Sequence, residues 1–295
     1  ALALYNTSSC AIDRQGKIRC WGDDEGNDGL TTATDLGQVE LTTRAHEAGE
    51  STDVIVAIAT DDLEAALPNI ADDAFKLIVA GIVAGRTTTV AIAAGYFHTC
   101  AIHEQGRVSC WGANEYQQLT APEDLGQAVA IAAGYGHTCA IEHPSTLRCW
   151  GKNEYGQSNV PSELPEVVAI AAGSYHTCAI NPAEEVRCWG KNDEGQTDVP
   201  SDLSAAKAIR AGDSHTCIIN SLGGVRCWGG NDLDQIDVPS DLTAALAISA
   251  GSSHTCSLLE TKEVRCWGNN SIGQCNVPSG LTDVIAIAAS SINTC

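Results

Sequence analysis

The stretch "HTCAIHEQGRVSCWG", residues 98–112, carries two cysteines ten positions apart, a histidine just before the first and a tryptophan just after the second. It reads as a metal knuckle, a redox pair or a stapled hairpin, and the choice fixes the fold. Zinc knuckles space their cysteines two to four residues apart and need two such pairs to converge. Thioredoxin-like redox sites use CxxC, which the chain lacks. If Cys100 and Cys110 oppose each other in an antiparallel pair, Ala101 faces Ser109, Ile102 faces Val108 and His103 faces Arg107. A three-residue loop remains, Glu104-Gln105-Gly106, with glycine at the position that such a loop places in the left-handed region. Opposed residues lie ~4.5–5.5 Å apart at Cα, within reach of a disulfide. The stretch is a stapled β-hairpin.

It is also one copy of several. "AIAAG" begins at Ala91, Ala130 and Ala169, and returns as "AIRAG" at Ala208, "AISAG" at Ala247 and "AIAAS" at Ala286, always 39 residues on. After it come "HTC", then "RCWG" or "SCWG", then an Asn-rich loop ending in "VP". The same staple is expected at Cys139–Cys149, Cys178–Cys188, Cys217–Cys227 and Cys256–Cys266. It is expected once more near the N-terminus at Cys10–Cys20, where Ser8 replaces the histidine. Gly16 and Gly223 take the place of Gly106; the loops "HPS", "PAE" and "ETK" have no glycine there, so their turns should differ. Each staple closes roughly 11 residues, worth at most ~2.5–3 kcal/mol in the chain-entropy model. Such cysteine usage implies an oxidising compartment and an extracellular protein.

The short apolar "VAIAAG" runs read as buried strands, and the unit as a three- or four-stranded propeller blade. The histidines His98, His137, His176, His215 and His254 occur once per unit on the cysteine face. Repetition holds them a unit apart, so they read as hydrogen-bonding packing residues and not as a shared metal site. The tryptophans point to the opposite face and read as core between units.

The whole chain, 1–295, reads as one domain. Residues 23–56 read as a polar insertion and 57–90 as a degenerate blade without cysteines, in which "LEAALPNIADDAF" (63–75) equally suits a short helix broken by Pro68. The closing "VIAIAASSINTC", 284–295, opens a further unit and reads as a surplus C-terminal strand. Cys275 and Cys295 fall outside the regular pairing. They fit a bond to each other, a longer polypeptide, or a strand donated to a neighbouring molecule. With no initiating Met and no signal peptide, the chain reads as processed or partial.

With 16 basic against 37 acidic residues the net charge is −21, which disfavours nucleic acid. The longest apolar run, "LIVAGIVAG" (77–85), is too short to span a bilayer. No nucleophile elbow, zincin motif or phosphate loop is present, and the Asp/Asn-rich loops miss the EF-hand spacing, so no enzyme, cofactor or metal is expected. Two sequons, at Asn6 and Asn269, are glycosylation candidates. Tyr96, Tyr116, Tyr135, Tyr155 and Tyr175 fall in loops of consecutive units and form the candidate binding surface.

"AIAAGYGHTCAI" and "LRCWGKNEYGQ" resemble the RCC1 repeat in its G-x-x-H-[TS] and W-G-x-N-x-x-G-Q elements, over residues 1–22 and 91–295. The texture is similar to bacterial-type members with Cys-paired, Ala-rich repeats, secreted inhibitors among them. The resemblance implies an all-β, seven-bladed β-propeller, and a role as exchange factor for a small GTPase, enzyme inhibitor or adaptor. The acidic, stapled chain fits the first role poorly. The expected function is a non-enzymatic structural or adhesive propeller whose partner is a protein, through self-association into a fibre or with another extracellular protein. The alternative is a monomeric binding module, such as an inhibitor or a lectin-like disc.

Overall fold

The computed structural model describes residues 9–13, 18–21, 89–164 and 166–294. Five units repeat one pattern of three antiparallel strands. The first holds β3 (Thr89–Ala94), β4 (His98–His103) and β5 (Val108–Gly112), numbered after the N-terminal pair β1 (Ser9–Asp13) and β2 (Ile18–Trp21). The second is β6 (Ala128–Ala133), β7 (His137–Glu142) and β8 (Thr146–Gly151). The third is β9 (Ala169–Ala172), β10 (His176–Ile180) and β11 (Val186–Gly190). The fourth is β12 (Ala206–Ala211), β13 (His215–Asn220) and β14 (Val225–Gly229). The fifth is β15 (Ala245–Ala250), β16 (His254–Leu259) and β17 (Val264–Gly268). In each sheet the middle strand is the "HTC" strand.

The cysteines face one another as the hairpin arithmetic requires. Cys100 opposes Cys110, and the four downstream pairs repeat the register. All five are bonded, with Cα atoms 4.1 Å apart, closer than the expected span. Cys10 and Cys20 oppose each other in the backbone register of β1 and β2. Gly106 and Gly223 take the left-handed conformation, at φ 75° and 80°. The expectation that "PAE" and "ETK" turn differently is corrected: Glu184 and Lys262 occupy the same place with φ 66° and 68°. The register of the flanking strands dictates the left-handed residue, whatever its side chain. "HPS" does differ, turning through a cis His143–Pro144 bond.

First strands of successive sheets pack against each other, β3 on β6, β6 on β9, β9 on β12 and β12 on β15. The sheets therefore splay from a common inner wall, the arrangement of a propeller. The core lies between sheets, as Trp150, Trp189, Trp228 and Trp267 drop onto the preceding unit. Trp228 packs with Cys178, Ile180 and Ile209, and Trp267 with Cys217, Ile219 and Ile248.

The surplus-strand expectation fails. β18 (Val284–Ala286) pairs with β1, Ala286 against Ile12 and Val284 against Asp13. This is the register in which Ala91 meets Ile102 and Thr89 meets His103. The physical reason is repeat symmetry: an "AIA" strand pairs with the first strand of a stapled hairpin, and β1 offers that edge. A sixth sheet, β18-β1-β2, thus joins the two ends of the chain. The insertion 23–56, most of the degenerate blade 57–90, Asn6 and Cys295 lie outside the described residues.

Candidate protein-binding rim

The turn between the first and second strands of each unit runs G-x-x-H, and the histidine anchors it. His137 Nε2 meets Thr177 Oγ1 of the next unit at 3.0 Å, and His98, His176, His215 and His254 make the same contact to Thr138, Thr216, Thr255 and Thr294 at 2.8–3.0 Å. Each of these threonines donates its only hydroxyl proton to a glutamine carbonyl, Thr177 to Gln157 at 2.8 Å. The histidine must then donate from Nε2, so Nδ1 carries the lone pair, and it has no partner. Burial lowers the pKa of His137, His176 and His215 to about 3 and of His98 and His254 to about 4. All five are neutral struts between units. Glycine precedes them because of close approach: a Cβ on Gly173 would collide with the His176 imidazole and the Gly212 carbonyl.

The second loop of each unit, after the third strand, is clamped from below. Gln118 and Gln157 are buried; their carbonyls accept from Trp150 and Trp189 Nε1 at 2.9 Å, and their Oε1 atoms accept from the backbone of Tyr116 and Tyr155. Asn153 Nδ2 donates to Asn159 Oδ1 at 2.7 Å, and Asn192, Asn231 and Asn270 bridge their loops likewise. The Asn and Asp side chains of these loops therefore serve the turns themselves. Among the described residues no group of three or more His, Cys, Asp or Glu is placed to hold a metal ion.

On this frame the five tyrosines converge. Tyr96 lies 5.0 Å from Tyr135, Tyr135 lies 5.2 Å from Tyr175, and Tyr155 lies 5.4 Å from Tyr175, centroid to centroid. Phe97, which the sequence reading passed over, joins Tyr96 at 4.7 Å and Tyr135 at 5.2 Å. Tyr116 enters through a second residue that reading missed. Lys152 Nζ sits 4.3 Å from the Tyr116 centroid, 5.6 Å from that of Tyr135 and 5.3 Å from that of Tyr175. Lys191 does the same between Tyr155 and Tyr175, at 5.5 and 5.9 Å. Burial opposes the Lys152 charge, but hydrogen bonds to Tyr116 and Glu154 outweigh it and raise its pKa. Burial, with Tyr135 beside it, raises that of Tyr175, which stays neutral. Phe97 and Tyr155 are the exposed tips; the other four rings are half-buried. A signal for both lysines was available in "CWGK", which occurs only at 149–152 and 188–191, in two of the three units whose loops carry tyrosine.

Turns of neighbouring units are tied through their backbones as well. Tyr96 N donates to Gly134 O, Tyr135 N to Ser174 O, and Asp213 N to Ser252 O. An open groove of about 590 Å³ flanks β11 and holds none of the aromatic residues. Cys275 forms no disulfide; its half-buried thiol donates to the Asn269 carbonyl at 3.2 Å, and burial pushes its pKa up to about 11. Cys275 thus turns inward onto its own loop. Asn269 stands on that loop, its Oδ1 accepting from Ser271 N.

Stapled three-stranded sheets splayed about a shared inner wall, with side-chain-rich turns gathered at one end, define a propeller-type repeat scaffold. The chain belongs to the family of the regulator of chromosome condensation (RCC1) repeat, whose model matches residues 82–118, 128–157, 167–196, 206–235 and 246–274. No curated protein matches it by sequence. Among solved structures it is similar to the entire ectodomain of the Physcomitrella patens receptor kinase CR4, with 25% identity, 71% of this chain and 60% of that one covered, and a TM-score of 0.60. The CRINKLY WD40 ectodomain of the Arabidopsis thaliana receptor kinase ACR4 matches at 24% identity over 71% and 74% of the two chains, TM-score 0.56. Prp20p of Saccharomyces cerevisiae, described with its binding to Gsp1p and histones, matches at 15% identity over 99% and 80%, TM-score 0.63. This chain spans 60% of the CR4 ectodomain.

Proposed function

We propose that this protein is an extracellular, non-enzymatic binding module that captures a protein partner on its tyrosine–lysine rim. The observation that carries the reading is the unbroken run of six aromatic rings and two lysines across three consecutive units. Rings this rigid lose little entropy on binding, and the glutamine clamps and cation–π contacts hold them before a partner arrives. Five bonded cystine pairs support an oxidising compartment. The receptor-kinase ectodomains and Prp20p, both tied to recognition by their descriptions, support a binding role. A protein partner fits the breadth of the rim better than a small ligand. The fibre reading drew its support from an unmatched terminal strand, and β18 now has its partner in β1, so the single-molecule binder is favoured. On the same reading the ring is seven-bladed, with 57–90 as the seventh blade, and Asn269 bears a glycan.

The test is surface plasmon resonance of the purified protein against extracellular proteins of its source. Tyr135→Ser/Tyr175→Ser should weaken capture at least 100-fold while Ser214→Ala/Ser253→Ala leaves it unchanged. Equal capture by all three proteins would overturn the assignment.

A further inference from the structure

Five of the eight large apolar side chains exposed among the described residues gather at the end of the sheets away from the tyrosine rim. Backbone hydrogen bonds define that end. Ala206 N donates to Glu184 O, Ala245 N to Gly223 O and Val284 N to Lys262 O. The hairpin turn of each of these units is thereby tied to the start of the next unit's first strand. The G-x-x-H turns lie at the other end of those strands.

Just inside the first strands comes a bulge. Ala245 opposes Leu259 and Ala247 opposes Leu258, so Leu246 falls between consecutive partners and turns outward. Val129 is placed likewise between Ala128 and Ala130, and Ile285 between Val284 and Ala286. Val168 holds the same place in its unit, one residue before β9. All four are between 48% and 58% exposed, and Leu222, in the hairpin turn tied to Ala245, is 86% exposed. A bulged residue makes no ladder contact, so a polar side chain would serve the sheet equally well. Aliphatic groups repeated there leave an apolar row in water that folding does not cover. In β12 the place holds Lys207, whose ammonium pairs with Glu184 and whose alkyl stem continues the row. The strands that carry it lie side by side, β6 on β9, β9 on β12 and β12 on β15.

The row is fenced by negative charge. Glu166, Glu185, Glu260, Glu263 and Asp283 are exposed in the same turns and strand starts. Among the described residues the bases there are Arg107, Lys207 and Lys262, and Lys207 is already engaged.

We infer that this hairpin end is a second docking face, whose occupant is a protein segment carrying aliphatic side chains among lysines and arginines. Its aliphatic groups cover the row while its bases meet the carboxylates. A second copy of this chain would set carboxylate against carboxylate, and an anionic membrane surface would be repelled in the same way. The face stands apart from the tyrosine rim and works without it. The probe is a fluorescein-labelled amphipathic peptide of leucine and lysine, titrated with the full chain at physiological salt and followed by anisotropy. Wild type should bind it saturably, at least tenfold tighter than the same peptide with serine for leucine or glutamate for lysine. Val129→Ser/Val168→Ser should weaken binding at least tenfold, and Tyr135→Ser/Tyr175→Ser should leave it unchanged. Leu222→Ser, in an exposed turn, should also weaken it, and serves should the strand variant fail to fold. Equal binding of the leucine and serine peptides would reduce the face to bulk charge and overturn it. Equal binding by wild type and the serine variants, or no saturable binding, would do the same. Sedimentation showing a wild-type dimer that Val129→Ser/Val168→Ser abolishes would assign a second copy and overturn the cationic partner. Binding to phosphatidylserine vesicles with that dependence would overturn it as well.

Discussion

The end of the ring that carries the turns is two surfaces on one chassis. Over the units led by β3, β6 and β9 the turns hold Tyr96, Phe97, Tyr135 and Tyr175, backed by Tyr116, Tyr155 and two lysines. Over those led by β12 and β15 the same columns hold Asp213, Ser214, Ser252 and Ser253, with Gly230 and Asn269 in the lysine column. At the seam Ser174 Oγ donates to Asp213 Oδ1 at 2.6 Å. Beneath it nothing changes. His98, His137 and His176 on one side and His215 and His254 on the other make the same strut to the same threonine column. The lesson is a division of labour: buried columns repeat because they join units, and the exposed column varies because it bears no load.

If the chassis is uniform, acid should loosen both halves together. The five struts are neutral when folded, and their pKa values of about 3 to 4 lie below the ordinary 6.5. The unfolded chain therefore binds the protons, and stability is complete above pH 6.5 and lost as pH falls toward 3. By pH 5 each histidine contributes ~2 kcal/mol of that loss. Thermal melts from pH 7.5 to 4 should show a steep fall in Tm, shallower in His137→Asn and equally so in His215→Asn. A flat profile would mean the imidazoles are not desolvated.

Next in size is the hydroxyl that each strut rests on. Thr177→Val and Thr255→Val each strand a buried Nε2–H and should cost about 2–3 kcal/mol. Urea titration should return the same value on both sides of the seam; a large difference would break the picture of a shared chassis. On the rim itself the halves should part. Lys152→Met removes contacts to three rings and the pair with Glu154, for a loss of about 1 kcal/mol, whereas Asn269→Met, in the same column, should be within ~0.5 kcal/mol of wild type. The smallest effect is a gain: Lys262→Gly relieves a left-handed lysine in the last hairpin and should stabilise by up to ~1 kcal/mol. No change in the denaturation midpoint would mean that the turn holds no strain.

Much of this was legible in the 39-residue period. The cystine pairs, the inter-unit tryptophans and a hydrogen-bonding packing role for the histidines follow from spacing and strand alternation, since both are local; that the histidines link units does not. The tyrosines could be picked out as loop residues of successive units. That they meet could not, because the contact between Tyr96 and Tyr135 depends on the angle at which one sheet leans on the next. The terminal strand was misread for a related cause: residues 284–286 and 9–13 lie far apart in sequence, and only tertiary pairing makes them neighbours.

By itself the sequence determined the unit, its stapled hairpin, its all-β character and its acidic surface, because these rest on contacts within a few tens of residues. Tertiary structure alone decided which loops share a surface, that Lys152 and Lys191 pin the aromatic rings and that β18 and β1 share a sheet. Those depend on how repeats pack around an axis, a distance that no local pattern of residues encodes.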